Sequence, residues 1–72
     1  MKLKDLIKAF VTNYELRIID GKDSKELFSC RSNSKALNAY SDWDVLEIEF
    51  IPSNFGFSYG GVRLVILEVK NG

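Results

Sequence analysis

The alternation of apolar and polar residues along the chain predicts two helices and four strands. Near the N-terminus, apolar residues recur at helical spacing while charged residues fall on the opposite side. The apolar stripe consists of Leu3, Leu6, Ile7, Phe10 and Val11. This pattern predicts an amphipathic helix of about two to three turns. Because so short a helix is not stable alone in water, its stripe must pack against the rest of the chain.

Two strands joined by a turn are predicted next. Apolar and charged residues alternate over residues 14–18, which is the period of a half-buried strand. Residues 20–24 read Asp-Gly-Lys-Asp-Ser, a cluster typical of turns. A second strand is expected over residues 25–32, with Phe28 and Cys30 facing the core.

A second short helix and a third strand follow. Residues 32–34 offer N-cap side chains for a helix over residues 35–40. The third strand starts at Trp43 or Asp44 and ends at Pro52, whose ring removes a hydrogen-bond donor from the ladder. Its apolar side chains should share one face and its carboxylates the other, solvated face: Leu46, Ile48 and Phe50 against Glu47 and Glu49.

The last strand, over residues 62–70, is apolar on both faces for most of its length, which favours a central place in the sheet. It should form one long hairpin with the third strand. The connection over residues 53–61 is rich in glycine and carries aromatic rings at alternate positions: Phe55, Phe57 and Tyr59.

The predicted order is therefore α-β-β-α-β-β over a single domain of residues 1–72. It packs most simply as an α+β fold, a four-stranded, largely antiparallel sheet with both short helices on one face. A chain of 72 residues buries about 60% of the surface that its unfolded form exposes.

The same segments resemble a group of known proteins. The helix KLKDLIKAF, the run YELRIIDG leading to KELFSC, and the strands VLEIEFIP and VRLVILEV are similar to small uncharacterised proteins of bacteriophages and mobile elements of Gram-positive bacteria. The resemblance spans nearly the whole chain. It implies a bacterial or phage context, and it carries no functional residue over to this sequence.

Composition and charge narrow the classes of function. Ten basic residues balance ten acidic ones. Zero net charge gives no general attraction to nucleic acid or anionic membranes, and it eases self-association. The apolar runs are too short to span a bilayer, and the N-terminal helix lacks the pattern of a signal peptide. We therefore expect a cytoplasmic protein.

The sequence offers little for catalysis. It has no histidine, so the usual proton shuttle near neutral pH is missing. The lone Cys30 is best interpreted as a small hydrophobic residue, and Glu47 and Glu49 as a solvated strand face. The aspartates fit turns and caps: Asp20, Asp23, Asp42 and Asp44. We predict no enzyme activity, no cofactor, no small-molecule ligand and no metal site.

The aromatic connection has two interpretations. Its rings either fold over the sheet and complete a small core, or they stay exposed and form a contact patch. In the second case the patch continues over the sheet face opposite the helices, through Trp43, Val62, Leu64 and Ile66. Such a patch would contact a protein partner or a second copy of the chain, giving a homodimer.

The preferred hypothesis is a non-enzymatic accessory protein that acts through protein–protein contact, one form being a phage-encoded modulator or inhibitor of a host protein. The alternative is a module for single-stranded nucleic acid. There the three rings would stack bases while Arg17, Arg63 and Lys70 meet phosphates. Zero net charge and the two glutamates of the third strand argue against that alternative.

Overall fold

The computed structural model describes residues 1–10, 13–52 and 62–71. These residues form a short α-helix, a 3₁₀ helix and four strands, an α+β arrangement in which the sheet contributes most of the ordered backbone. The elements are α1 (Leu3–Ala9), β1 (Glu15–Asp20), β2 (Lys25–Arg31), the 3₁₀ helix (Lys35–Tyr40), β3 (Asp44–Pro52) and β4 (Val62–Lys70).

The four strands lie in the order β2-β1-β4-β3. Both hairpins, β1–β2 and β3–β4, are antiparallel, whereas the central pair β1–β4 is parallel. The sheet is therefore mixed, and the prediction of a largely antiparallel sheet is wrong at its centre. Each hairpin is antiparallel because its two strands are neighbours in the chain. The central pair joins distant segments, whose relative direction local patterns do not encode.

The second predicted helix is a single 3₁₀ segment rather than an α-helix. The Ser34 side chain caps it by accepting a hydrogen bond of 3.2 Å from the backbone N–H of Ala36. At its other end the Ser41 N–H donates to the Asn38 carbonyl, the i to i+3 bond that defines this tighter helix. Six residues suffice to place Leu37 in the core.

The core lies between the two helical segments and one face of the sheet. Its buried side chains come from α1, the 3₁₀ helix, β1 and β4: Leu3, Leu6, Leu16, Ile18, Leu37, Val65, Leu67 and Val69. The strand members alternate along β1 and β4, as period-two patterning requires. Fully burying a side chain of this size stabilises the fold by about 1.5–3 kcal/mol, and five of the eight come from the two central strands.

A buried serine ties the two ends of the first hairpin together. The Ser32 hydroxyl donates to Asn13 Oδ1 at 3.0 Å and accepts from the backbone N–H of Tyr14 at 3.0 Å. The Ser32 N–H in turn donates to the Tyr14 carbonyl at 2.9 Å. Because its hydroxyl and its N–H are both bonded, the Ser32 side chain is accommodated in the core without an unpaired group.

Candidate interaction surface

Among the described residues, no helix packs on the second face of the sheet. Side chains that alternate with the buried ones along β1 and β4 point to this side, which we call the open face. In the middle of it lie Leu64 and Ile66 of β4, with Ile51 opposite Leu64 on β3 and Ile19 on β1. All four are only partly buried. We call these four residues the apolar centre.

The apolar centre contains two of the seven residues that the sequence predicted for the contact patch. Leu64 and Ile66 share the open face as expected. Val62 and Trp43 do not join them, because both pack against the buried cluster on the helix side. There the Trp43 ring stacks edge-on against Tyr40, with centroids 4.8 Å apart. Phe55, Phe57 and Tyr59 lie outside the described residues.

One end of the open face carries three carboxylates, Glu47, Glu49 and Glu68, which we call the glutamate corner. Glu47 lies directly opposite Glu68 across β3 and β4, and Glu49 lies opposite Ile66. Together with Ile19 and Ile66 they line a shallow depression. The ion pairs within the described part of the chain include none of the three glutamates.

The other end of the open face carries three guanidinium groups, Arg17, Arg31 and Arg63, which we call the arginine corner. They line one groove of about 400 Å³ where the end of β2 meets the starts of β1 and β4. Arg17 Nε lies 2.8 Å from Glu26 Oε1, and Arg31 Nη2 lies 3.7 Å from Glu15 Oε1. Within the described ranges Arg63 forms no ion pair.

Sequence reasoning named Arg17 and Arg63 as phosphate contacts but missed Arg31 and Glu68. Alternation along a single strand was the signal that could have found both. Glu68 follows Leu64 and Ile66 at the same parity, and Arg31 follows Ser29 at the same parity. Lys70, the third predicted phosphate contact, lies at the far end of β4 and does not line the groove.

The edge strand β3 exposes three large apolar side chains, but not on one face as predicted. A bulge between Val45 and Glu47 inserts Leu46 as an extra residue on the open side, while Ile48 and Phe50 pair with core residues on the helix side. Leu46 and Phe50 are each 52% exposed. The helical segments cover the middle of the sheet and leave this edge uncovered.

The sequence of β3 disfavours pairing of its free edge with the β3 edge of a second copy. In an antiparallel pairing of two β3 strands centred on Ile48, Glu47 of one copy would face Glu49 of the other. The bulge at Leu46 and the missing N–H of Pro52 interrupt the ladder further. The open face is therefore the better candidate for a specific contact.

Cys30 lies at the edge of the arginine groove, half-buried and opposite Leu16. Burial raises the pKa of its thiol, and a hydrogen bond with Ser34 partly offsets that effect. The thiolate is the reactive form of cysteine, so a raised pKa makes the side chain less nucleophilic. Its surroundings fit the structural role that the sequence suggested.

The described part of the chain holds no group of three His, Cys, Asp or Glu side chains placed to bind a metal ion. Within the same residues, no helix has the length and apolar character needed to cross a membrane.

Comparison with known proteins adds no relationship. The chain matches no protein-family model, no curated protein and no solved structure. Its function must therefore be argued from the open face itself.

Proposed function

We propose that this protein is a non-enzymatic accessory protein that acts by contacting another protein chain through the open face of its sheet. The observation that carries the proposal is the apolar centre, four aliphatic side chains left partly exposed where no described helix covers them. Aliphatic side chains surrounded by charged ones have the composition of a contact surface, in which an apolar middle is desolvated and a polar rim stays wet.

The resemblance to small proteins of phages and mobile elements supports a more specific role. A small sheet with one uncovered face can present that face to a larger protein. Modulation or inhibition of a bacterial host protein is the form of this role that we propose. It rests on analogy with the group as a whole rather than on a transferred residue.

The experiment compares capture of host proteins by three immobilised forms of the chain. Ile66→Lys places a charge in the apolar centre, while Ala39→Lys adds the same charge at an exposed position on the 3₁₀ helix, on the opposite side of the molecule. The proposal expects a protein retained by wild type and by Ala39→Lys but lost by Ile66→Lys. Equal retention by all three forms would refute a contact through the open face.

A second candidate, binding of single-stranded nucleic acid, draws support from the arginine corner. Arg17, Arg31 and Arg63 line the same groove, so a phosphate could be met by more than one guanidinium. Retention of a labelled oligonucleotide that falls steeply with salt, and that Arg63→Ala weakens, would favour this candidate. The uncompensated charge of the glutamate corner on the same face argues for the protein contact instead.

A further inference from the structure

The open face is polarised. The arginine corner lies where β1 and β4 begin, and the glutamate corner lies toward their ends. The register places Leu16 beside Val65 and Ile19 beside Glu68. Between Leu64 and Glu68 the face extends by four residues, or about 13 Å. Glu15 and Glu26 lie on the same face and offset two of the three guanidinium charges, so a weakly positive end, an apolar centre and a negative end follow one another diagonally across the strands.

We propose that the open face binds the open face of a second copy of this chain, with each arginine corner lying over the glutamate corner of the other copy. This inference rests on the proposed function, because it names the partner of the same surface. A two-fold axis that lies in the plane of the interface, beside the apolar centre, generates the arrangement. Such an axis brings Ile66 near its own counterpart and exchanges the two charged ends.

Charge complementarity selects the second copy as the occupant. A two-fold interface uses the same patch on both molecules, so the patch must complement itself. A face of a single charge would repel its copy, whereas a face with opposite charges at its two ends attracts it. The chain as a whole carries ten basic and ten acidic residues, so no net charge opposes the pairing.

The arginine corner keeps donors for such a contact. Arg17 uses its Nε for Glu26, which leaves its terminal nitrogens available. The 3.7 Å separation of Arg31 from Glu15 exceeds hydrogen-bond distance, so that guanidinium is held weakly. Arg63 has no ion pair within the described ranges. On the facing copy, the three carboxylates of the glutamate corner are the matching acceptors.

The geometry and the area of the contact determine how tightly the two copies are expected to bind. The two corners lie on a diagonal of the sheet. A two-fold rotation that exchanges them therefore places the strands of one copy at a steep angle to those of the other, close to the orthogonal class of sheet packing. Four strands about 4.8 Å apart and about 20 Å long give roughly 400 Å² of flat contact per copy. Doubled over the two copies, that area is below the range of stable specific interfaces and within that of weak, transient contacts, so the dimer should be weak and dependent on concentration.

The test measures self-association of the full chain and of two charge-reversed variants by sedimentation equilibrium, up to about 1 mM, where a weak dimer is populated. One variant carries Arg31→Glu and Arg63→Glu, and the other carries Glu47→Lys and Glu49→Lys. We expect wild type to dimerise and each variant alone to lose at least about tenfold in dimer affinity, or about 1.4 kcal/mol.

Mixing the two variants is the decisive step. One variant then has two negative ends and the other two positive ends, so both corner contacts are restored in a heterodimer. Recovery of dimer in the equimolar mixture supports the inference. Circular dichroism of each variant alone provides an independent check of folding. Two folded variants that stay monomeric when mixed would overturn the inference.

Failure of this inference can be distinguished from failure of the proposed function. A wild type that is monomeric at the highest concentration overturns self-association. If Ile66→Lys nevertheless loses a captured host protein that Ala39→Lys retains, the open face remains a contact surface for a different chain. If Ile66→Lys changes neither capture nor dimerisation, the proposed function fails together with this inference.

Discussion

Glu47 and Glu68 lie directly opposite each other across β3 and β4, on the face of the sheet that no described helix covers. Like charges at directly opposed positions in an antiparallel pair destabilise it. The ion pairs of the described residues do not relieve this repulsion, because none includes either glutamate. A partner that brings cations to this corner would remove the repulsion, which links the local cost to the proposed contact.

Glu47→Lys should therefore stabilise the isolated monomer. Replacing the like-charge pair by an opposite-charge pair with Glu68 should raise the free energy of unfolding by about 0.2–1 kcal/mol at low salt. Urea denaturation at a concentration where the chain is monomeric measures the change. Glu49→Lys is the matched control, since Glu49 faces Ile66 and should give a smaller gain. A loss of stability in Glu47→Lys would contradict this explanation of the pair.

Leu67 and Leu64 of the same strand provide a test of which face is the core. Leu67 is fully buried beneath the helices, whereas Leu64 lies on the open face and is partly exposed. Leu67→Ala should cost about 2–5 kcal/mol because it removes buried methyl groups and leaves a cavity. Leu64→Ala should cost less than half of that. Denaturant unfolding of both variants checks the difference, and equal costs would mean that both faces are sealed.

The element boundaries could be predicted from the sequence because each rests on a local signal. The turn over residues 21–24 separates β1 from β2, one residue later than predicted because Asp20 belongs to β1, and Pro52 is the last residue of β3. The place of β4 between β1 and β3 also agrees with its sequence, since a strand that is apolar on both faces favours a central position. These features depend on residues close together in the chain.

The direction of the central pair and the bulge in β3 depend on distant residues. Whether β1 runs parallel to β4 is decided by how two finished hairpins dock, and either docking buries the same alternating side chains. The bulge before Glu47 changes which face Leu46 occupies, and a one-residue shift of this kind leaves no mark in the alternation itself. Sequence patterning could not settle these two features.

The residues that share the open face were grouped in part for the same reason. Leu64 and Ile66 share a face by strand parity, so sequence alone grouped them. Val62 has the same parity but sits at the start of β4, beside the bulge between Ile51 and Pro52, where it packs against the core. The gathering of Arg17 and Arg63 into one groove required the parallel register of β1 and β4, which the sequence does not contain.

Cys30 should react slowly with thiol reagents in the folded protein. Burial raises the pKa of its thiol, so at a given pH near neutrality less thiolate is present than in the unfolded chain. The rate of alkylation by iodoacetamide should be lower in buffer than in urea, and its rise with pH should be displaced to higher pH. Ser29→Cys in a Cys30→Ala background is the control, since residue 29 is exposed. Equal rates at both positions would refute a protected thiol.

An ion pair between α1 and the turn preceding β3 makes stability depend weakly on pH. Lys4 Nζ lies 3.0 Å from Asp42 Oδ1. The hydrogen bond and charge of Lys4 lower the pKa of Asp42, and the same contact raises the pKa of Lys4. The Asp42 contribution is therefore present above the pKa of an unfolded aspartate and is lost as pH falls through the lowered value. The Lys4 contribution is full below the unfolded lysine pKa and is lost as pH rises through the raised value.

The difference in stability between wild type and Asp42→Asn should consequently be largest and flat near neutral pH, and should disappear at both extremes. Because both side chains are exposed, the difference should be small and should shrink as salt is added. Urea denaturation of both proteins across the pH range, at low and high salt, gives the curve. A difference that persisted at low pH, where Asp42 is protonated, would have to come from packing rather than charge. A difference that did not change with pH at all would show that the Lys4–Asp42 pair makes no measurable contribution, and that α1 is held to the sheet by the burial of Leu3 and Leu6 and by the backbone bonds beside them.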